Sequence, residues 1–382
     1  MQFFTGWKEK NSRNHAVRID GLIYSSGVRP IDPQTGKLIE NRDFSAHMSQ
    51  CLDNLDVILR EAGATVQNVV KLTVYLRNMR NADNVAQEVA KRFDADKMPT
   101  ATILEMHRFE DDLDVLIHCI AADSSVEVTH YEDKRYAPWS GAVAYGDYIS
   151  LSAVVPEATS ITYDQKMFAD EVAACFTEME RLLQKAGSDV QHALRMRVYV
   201  RNMLDRIIVN EVTRPLYEKF PLRVIVEPAR LMHEQRIAIE CDAYKKDDME
   251  HLRTEKGQLP TGPFSQGIRI GSYLWLAGVR AIDPVAKRLI NGTFKERTIR
   301  CMENLQAVLE VAGSSLKDAF EARLYLRDMN DLPIVEEVFE TYFDAGRHPV
   351  WAAFEVSRMN EDYEKGWDPY HDIEIEVSAY EH

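Results

Sequence analysis

Five cysteines, eleven histidines and a scatter of acidic and basic side chains are the groups in this 382-residue chain that could do chemistry. The cysteines, Cys51, Cys119, Cys175, Cys241 and Cys301, form no Cys-x-x-Cys pair, and their odd number argues against a disulfide framework or a zinc site. No histidine recurs beside a carboxylate, and no His-Glu-x-x-His helix offers a metal seat. Neither a dinucleotide nor a P-loop glycine pattern appears, nor a Gly-x-Ser-x-Gly elbow to expose a nucleophilic serine. Metal, cofactor and serine-nucleophile chemistry are therefore not expected. What the cysteines do carry is spacing. Cys51, Cys175 and Cys301 stand about 125 residues apart, each on the apolar stripe of the same segment, which makes them core thiols and the chain a repeat.

Other landmarks keep that register. Gly63, Gly187 and Gly313 each follow an alanine, and Tyr75-Leu76-Arg77-Asn78-Met79 returns as Tyr199-Val200-Arg201-Asn202-Met203 and as Tyr325-Leu326-Arg327-Asp328-Met329. Cys119 and Cys241 form a further pair. Within one unit, Met48, Cys51, Leu52, Leu55, Ile58, Leu59 and Ala62 follow helical spacing, ended by Gly63. Residues 69–76 read as a strand, and Val85, Ala86, Val89, Ala90 and Phe93 mark a second helix. A hairpin at residues 16–26 precedes them, and strands at 102–106 and 115–121 follow. The order ββ, α, β, α, ββ predicts an α+β unit, a mixed sheet with two helices on one face. The bare sheet face needs a partner, which three copies can give one another as an intramolecular pseudotrimer. Boundaries are expected at 1–124, 125–247 and 248–382, with linkers at Ala122-Asp123-Ser124-Ser125 and Lys245-Lys246-Asp247-Asp248 and an insert in the third unit near 360–371.

Three segments carry a resemblance. Gly262-Pro263-Phe264-Ser265-Gln266-Gly267, the stretch from Ser26-Gly27 through Pro30 and Pro33 to Thr35-Gly36, and Glu61-Ala62-Gly63 resemble the motifs of the RidA/YjgF family, a chorismate-mutase-like fold. The resemblance covers the chain three times over. It implies trimeric barrels with sites between neighbouring subunits, where enamines and imines of amino acids are hydrolysed to ammonia and a keto acid without a cofactor. It also implies an arginine in a Pro-x-Arg-Ser segment that pairs with the substrate carboxylate, a job suited to the planar, two-pronged guanidinium. That segment reads Pro99-Thr100-Ala101-Thr102, Pro221-Leu222-Arg223-Val224 and Pro349-Val350-Trp351-Ala352, so only Arg223 remains. The family's helix asparagine matches Asn210 but falls at Ala86 and Glu336; its opening tyrosine falls at Arg13, Trp139 and Phe264; its serine before glycine falls at Ser26, Ser152 and Ala277. The glutamate that assists water falls at Leu116, Ala238 and Glu374.

One inter-repeat site is thus expected, with Arg223 and Glu374 catalytic and Asn210, Phe264, Trp139, Ser152 and Arg280 binding substrate. Repeat 3 is the better second wall for Arg223. Arg29 and Arg280, each in Gly-Val-Arg, could take a second acidic group or be structural, and Arg223 could instead pair with Glu227. The expected activity is a deaminase or hydrolase acting on a small carboxylated enamine or imine. Competing readings are a hydrolase of an enol ether, like the chorismatases, and a ligand-binding pseudotrimer without activity. A formal net charge of −15 argues against nucleic acid and anionic membranes as partners. No apolar run reaches the ~18 residues of a membrane helix and the first residues lack a signal-peptide pattern, so a cytoplasmic monomer, with further homo-oligomers left open, is expected.

Overall fold

The computed structural model describes residues 1–7, 14–41, 43–157, 164–359 and 371–381. Each copy holds one long and one short helix: α1 (Phe44–Glu61) and α2 (Ala82–Ala90), α3 (Gln165–Lys185) and α4 (Arg206–Thr213), α5 (Phe294–Val311) and α6 (Leu332–Tyr342). The long helices begin on oxygen-bearing caps, Asp43, Asp164 and Thr293, whose side chains accept from the first-turn amides. They end where Gly63, Gly187 and Gly313 take φ of +87°, +86° and +79°, a conformation glycine reaches without strain.

Residues 31–32 with 37–38 and 282–283 with 288–289 form two small two-stranded sheets. Each copy builds one large sheet, of seven, six and seven strands, the first completed by Arg230–Leu231 of copy 2. In each, the central strand (Val69–Leu76, Ala193–Val200, Ala319–Leu326) pairs in parallel with the strand that follows the short helix and antiparallel with the last strand. All eight residues of every central strand are buried, so both sheet faces are covered. One face packs on the helices: Leu72, Val74 and Leu76 join Cys51, Leu55 and Leu59 in the first core. The other meets the neighbouring copies. One apolar cluster there joins Tyr24, Tyr145 and Trp275, another joins Tyr75, Tyr199 and Tyr325, and each therefore draws on all three copies.

Between those two clusters lies a layer of charge. Lys71 reaches Glu240 at 2.8 Å and Asp242 at 2.6 Å; Arg195 reaches Asp242 at 3.1 Å and Glu321 at 3.5 Å. Arg197 bonds Glu240 and Glu376, each at 2.7 Å, and Arg323 donates to the Tyr75 hydroxyl at 3.0 Å. Burial and the adjacent Arg323 push His118 down to about 4, so its neutral ring accepts from Arg323 on Nδ1 and turns Nε2 to Glu321, 3.0 Å away.

The copies are hooked in a cycle. Ser265 Oγ donates to the Phe220 carbonyl, Ser140 Oγ to the Met98 carbonyl, and Asn14 Nδ2 to the His348 carbonyl. Copy 3 is thus fastened to copy 2, copy 2 to copy 1 and copy 1 to copy 3. The stretch after Ala122 is a tied turn rather than a loose linker, because Asp123 accepts from Ser125 and pairs with Arg18. The third-copy insert lies outside the described residues up to position 370; His371, at its far end, is buried.

Candidate active site

Three seams follow from the cycle, and their side chains differ sharply. Between copies 2 and 3, one cleft is lined by Arg206, Asn210, Arg223 and Ile225 from copy 2 and Thr261, Phe264, Gly278, Arg280 and Glu374 from copy 3. Its empty volume is about 330 Å³.

Arg223 stands on the strand Leu222–Val226, held in parallel register opposite Met196. The preceding strand turn is pinned to copy 3, since Ser265 N and Oγ both donate to copy 2, at the Pro221 and Phe220 carbonyls. Asn210, on α4, accepts from Arg223 Nη2 at 2.7 Å. Phe264 lies under the guanidinium, with Cζ 5.4 Å from the ring centroid, a cation–π contact. Glu227 does not pair with Arg223; its carboxylate accepts from the Met203 amide instead. Among the described residues, Arg223 Nε and Nη1 are buried and have no hydrogen-bond partner. Two N–H groups withdrawn from water without acceptors are costly, and a carboxylate at the end of the guanidinium would satisfy Nη1. Burial, followed by the nearby Arg206, pulls the Arg223 pKa down to about 10.

Glu374 sits on the last strand (Ile373–Tyr380), bridged to Arg280 and to Tyr325 of the central strand. Gly278 makes room for it: a Cβ there would lie 2.2 Å from Glu374 Oε1. Burial raises the Glu374 pKa to about 7 against the opposing pull of Arg280, whose Nε is 3.8 Å away. Arg280 donates to Thr261 Oγ1 at 3.0 Å, and its amide to Gln258. His371 is buried near Arg280 and Arg206 and is held neutral by burial and by those two charges. The arrangement can grip a carboxylate and exchange a proton beside it near neutral pH.

Five of the seven sequence-derived site residues thus share one cleft: Arg223, Glu374, Asn210, Phe264 and Arg280. Trp139 and Ser152 are a correction. They line a different pocket, between copies 1 and 2, with Ala82, Ala86, Ala101 and Ala238. The reason is the cycle: copy 2 lends its opening segment to copy 1, so Trp139 can never face Arg223. Ser152 there donates to the Ser140 carbonyl and accepts from the Ala101 amide, a structural pairing. That pocket has the counterparts of Asn210, Arg223 and Glu374 replaced by alanine, and its empty volume is about 1030 Å³. At the third seam Trp351 is buried with copy 3's own core, Leu116 stands in the glutamate position, and Arg29 pairs with Asp111 at 3.2 Å and Glu110 at 3.5 Å. Arg13 lies outside the described residues.

Arg206, Thr261 and Gly278 were not anticipated. Arg206 left one trace in the sequence: it opens a helix, where the dipole disfavours a cation.

The profile of the endoribonuclease L-PSP family matches residues 8–123, 132–245 and 255–381. A RutC family protein of Pyrococcus abyssi is 40% identical over 131 residues, 34% of this chain and 96% of that protein. A mouse protein named 2-iminobutanoate/2-iminopropanoate deaminase is 30% identical over 108 residues, 28% of this chain and 79% of its own length. Among solved structures, a chorismatase aligns over 82% of this chain and 93% of its own at 16% identity, with a TM-score of 0.55, a likeness of fold alone. No helix among the described residues is long and apolar enough to cross a membrane.

Proposed function

Since the chain belongs to the endoribonuclease L-PSP family, with three copies of the domain joined in line, we infer that it is an intramolecular pseudotrimer that hydrolyses a small carboxylated imine, or its enamine tautomer, at the seam of copies 2 and 3. The observation that carries this reading is Arg223: a buried guanidinium with two N–H groups unsatisfied among the described residues, in one small cleft with a carboxyl group titrating near 7. The mouse relative's named activity is of this class.

A substrate carboxylate accepts from Arg223 Nη1 at the end of the guanidinium, which fixes the imine carbon in the cleft. Asn210 holds the remaining arm of the fork, and Phe264 keeps its plane. Ionised Glu374 takes a proton from water as the water oxygen bonds to the imine carbon. Glu374 passes that proton to the imine nitrogen, giving a carbinolamine; it then moves the hydroxyl proton to the amine nitrogen as the carbon–nitrogen bond breaks, releasing ammonia and a keto acid. Positioned proton transfer of this kind contributes about 10²–10⁴ in rate.

The test is ammonia release from imines generated in place from a panel of amino acids, comparing the native protein with Arg223→Ala. The variant should lose roughly 10²-fold or more in kcat/KM, as expected for removing a charged anchor. Equal ammonia release by both proteins overturns the reading.

A further inference from the structure

The seam between copies 1 and 2 repeats the cleft of copies 2 and 3 with different side chains. The positions of Arg206, Asn210, Arg223, Arg280 and Glu374 are held there by Ala82, Ala86, Ala101, Val155 and Ala238, and all five line the pocket. Short apolar side chains in place of long polar ones open the space. The empty volume is about 1030 Å³, against about 330 Å³ at the seam of copies 2 and 3. The seam of copies 3 and 1 differs from both. Its counterparts of Arg206, Arg223 and Glu374 are Leu332, Trp351 and Leu116, large side chains that are all buried. One seam is thus filled and another is hollow, and apolar walls around a hollow are unfavourable while water is their only neighbour.

The aromatic side of the hollow is already fixed in place. Trp139 is half-buried and packs against the first core. The residue after it is fastened to copy 1, where Ser140 N and Oγ donate to the Pro99 and Met98 carbonyls at 3.2 and 2.6 Å. Tyr136 is buried, and its hydroxyl is already paired, donating to Glu178 at 3.0 Å. Among the described lining residues, charge is confined to the exposed Asp83, Arg135 and His233. A carboxylate entering here finds one arginine, and that one is engaged: Arg135 donates to the Val155 carbonyl at 2.6 Å and stands 3.6 Å from Glu178. Burying a charge without a matching partner is costly, so the pocket favours a neutral guest. The two ring side chains offer aromatic faces and edges, and the alanines leave room for a flat molecule beside them.

We propose that the seam of copies 1 and 2 is a second ligand site, which takes an uncharged, planar aromatic molecule about the size of a fused two-ring system. Apolar burial supplies the affinity, and contact with the Trp139 ring supplies the preference for a flat guest. The proposal is independent of the hydrolase reading, whose failure would leave this binding intact.

Calorimetry on the full chain, with indole as the probe, tests it. Indole should bind at one site with a Kd of about 100 µM or tighter. Indole-3-carboxylate, the same ring system with a charge, should bind at least tenfold more weakly. Ala86→Phe places a large side chain in the pocket from a half-exposed position on α2, and should weaken indole at least tenfold with an unchanged circular dichroism spectrum. Trp139→Leu keeps an apolar side chain but removes the ring, and should weaken indole severalfold. Arg223→Ala, in the other cleft, should leave indole binding as it is. Absence of indole binding at about 1 mM overturns the proposal. So does equal affinity for the carboxylate, binding that survives Ala86→Phe in full, or binding that disappears in Arg223→Ala.

Discussion

A guanidinium kept from water, with two N–H groups that no described residue accepts from, is a burden on folding. Arg223 carries a pKa of about 10, below its ordinary value, so the folded state bears the charge at a cost of about 3 kcal/mol at every pH below about 10. Arg223→Met should therefore raise the melting temperature by a few degrees while removing activity, a trade-off between stability and function checked by thermal denaturation beside the ammonia assay. Glu374 has the opposite sign of shift. Its folded pKa lies near 7 and its unfolded one near 4.5, so the folded state binds the proton more tightly. That stabilising contribution is full below about pH 4.5 and is lost as pH rises to about 7, amounting to about 3 kcal/mol. Glu374→Gln should match the native protein in acid and exceed it in stability at about pH 8. In the native protein the proposed hydrolysis should climb in kcat/KM through about pH 7 as Glu374 ionises, and that limb should vanish in the variant. A limb that survives in Glu374→Gln would remove Glu374 from the proton transfer.

At the scale of elements, the seam is set by close backbone approach. Gly278 has ordinary backbone angles, so alanine would be tolerated conformationally, but its Cβ would lie 2.2 Å from Glu374 Oε1 and 2.8 Å from Val224 Cγ2 across the seam. Gly278→Ala should keep the fold and cost about 10²-fold in kcat/KM by displacing the carboxylate about an ångström, read by steady-state kinetics beside an unchanged circular dichroism spectrum. Helices and strands of each copy were legible because burial imposes periodicity: residues 69–76 form a strand to the residue, and Gly63 closes α1. Arg206 and Thr261 were not legible, since a residue at a helix start or an exposed loop follows no period.

The whole molecule is organised by a rule invisible in any one copy: equivalent positions meet at the centre. Lys71, Arg195 and Glu321 occupy the same site in the three copies, and in a linear reading their change of sign looks like drift. In space Arg195 contacts Glu321, and Lys71 contacts Asp242, which Arg195 also holds, and Glu240, which Arg197 also holds. Three identical lysines would repel there; three different residues neutralise one another. Breaking one pair strands a charge in a dry interior. Arg197→Ala, which takes one cation from Glu240 and Glu376 together, should cost about 3–5 kcal/mol, measured by denaturant unfolding of the full chain. A loss below about 1 kcal/mol would mean that water reaches this layer.

The sequence by itself determined the repeat, the elements of each copy and the presence of an arginine at the Arg223 position in one copy of three, because these are properties of spacing and residue type along the chain. Only the tertiary structure decided which copies share a seam. The hooks from Ser265, Ser140 and Asn14 run backwards along the chain and close on themselves, so Phe264 and Glu374 stand with Arg223 while Trp139 and Ser152 stand with Ala101. No local pattern encodes that direction; it follows from how three twisted sheets bury their open faces against one another.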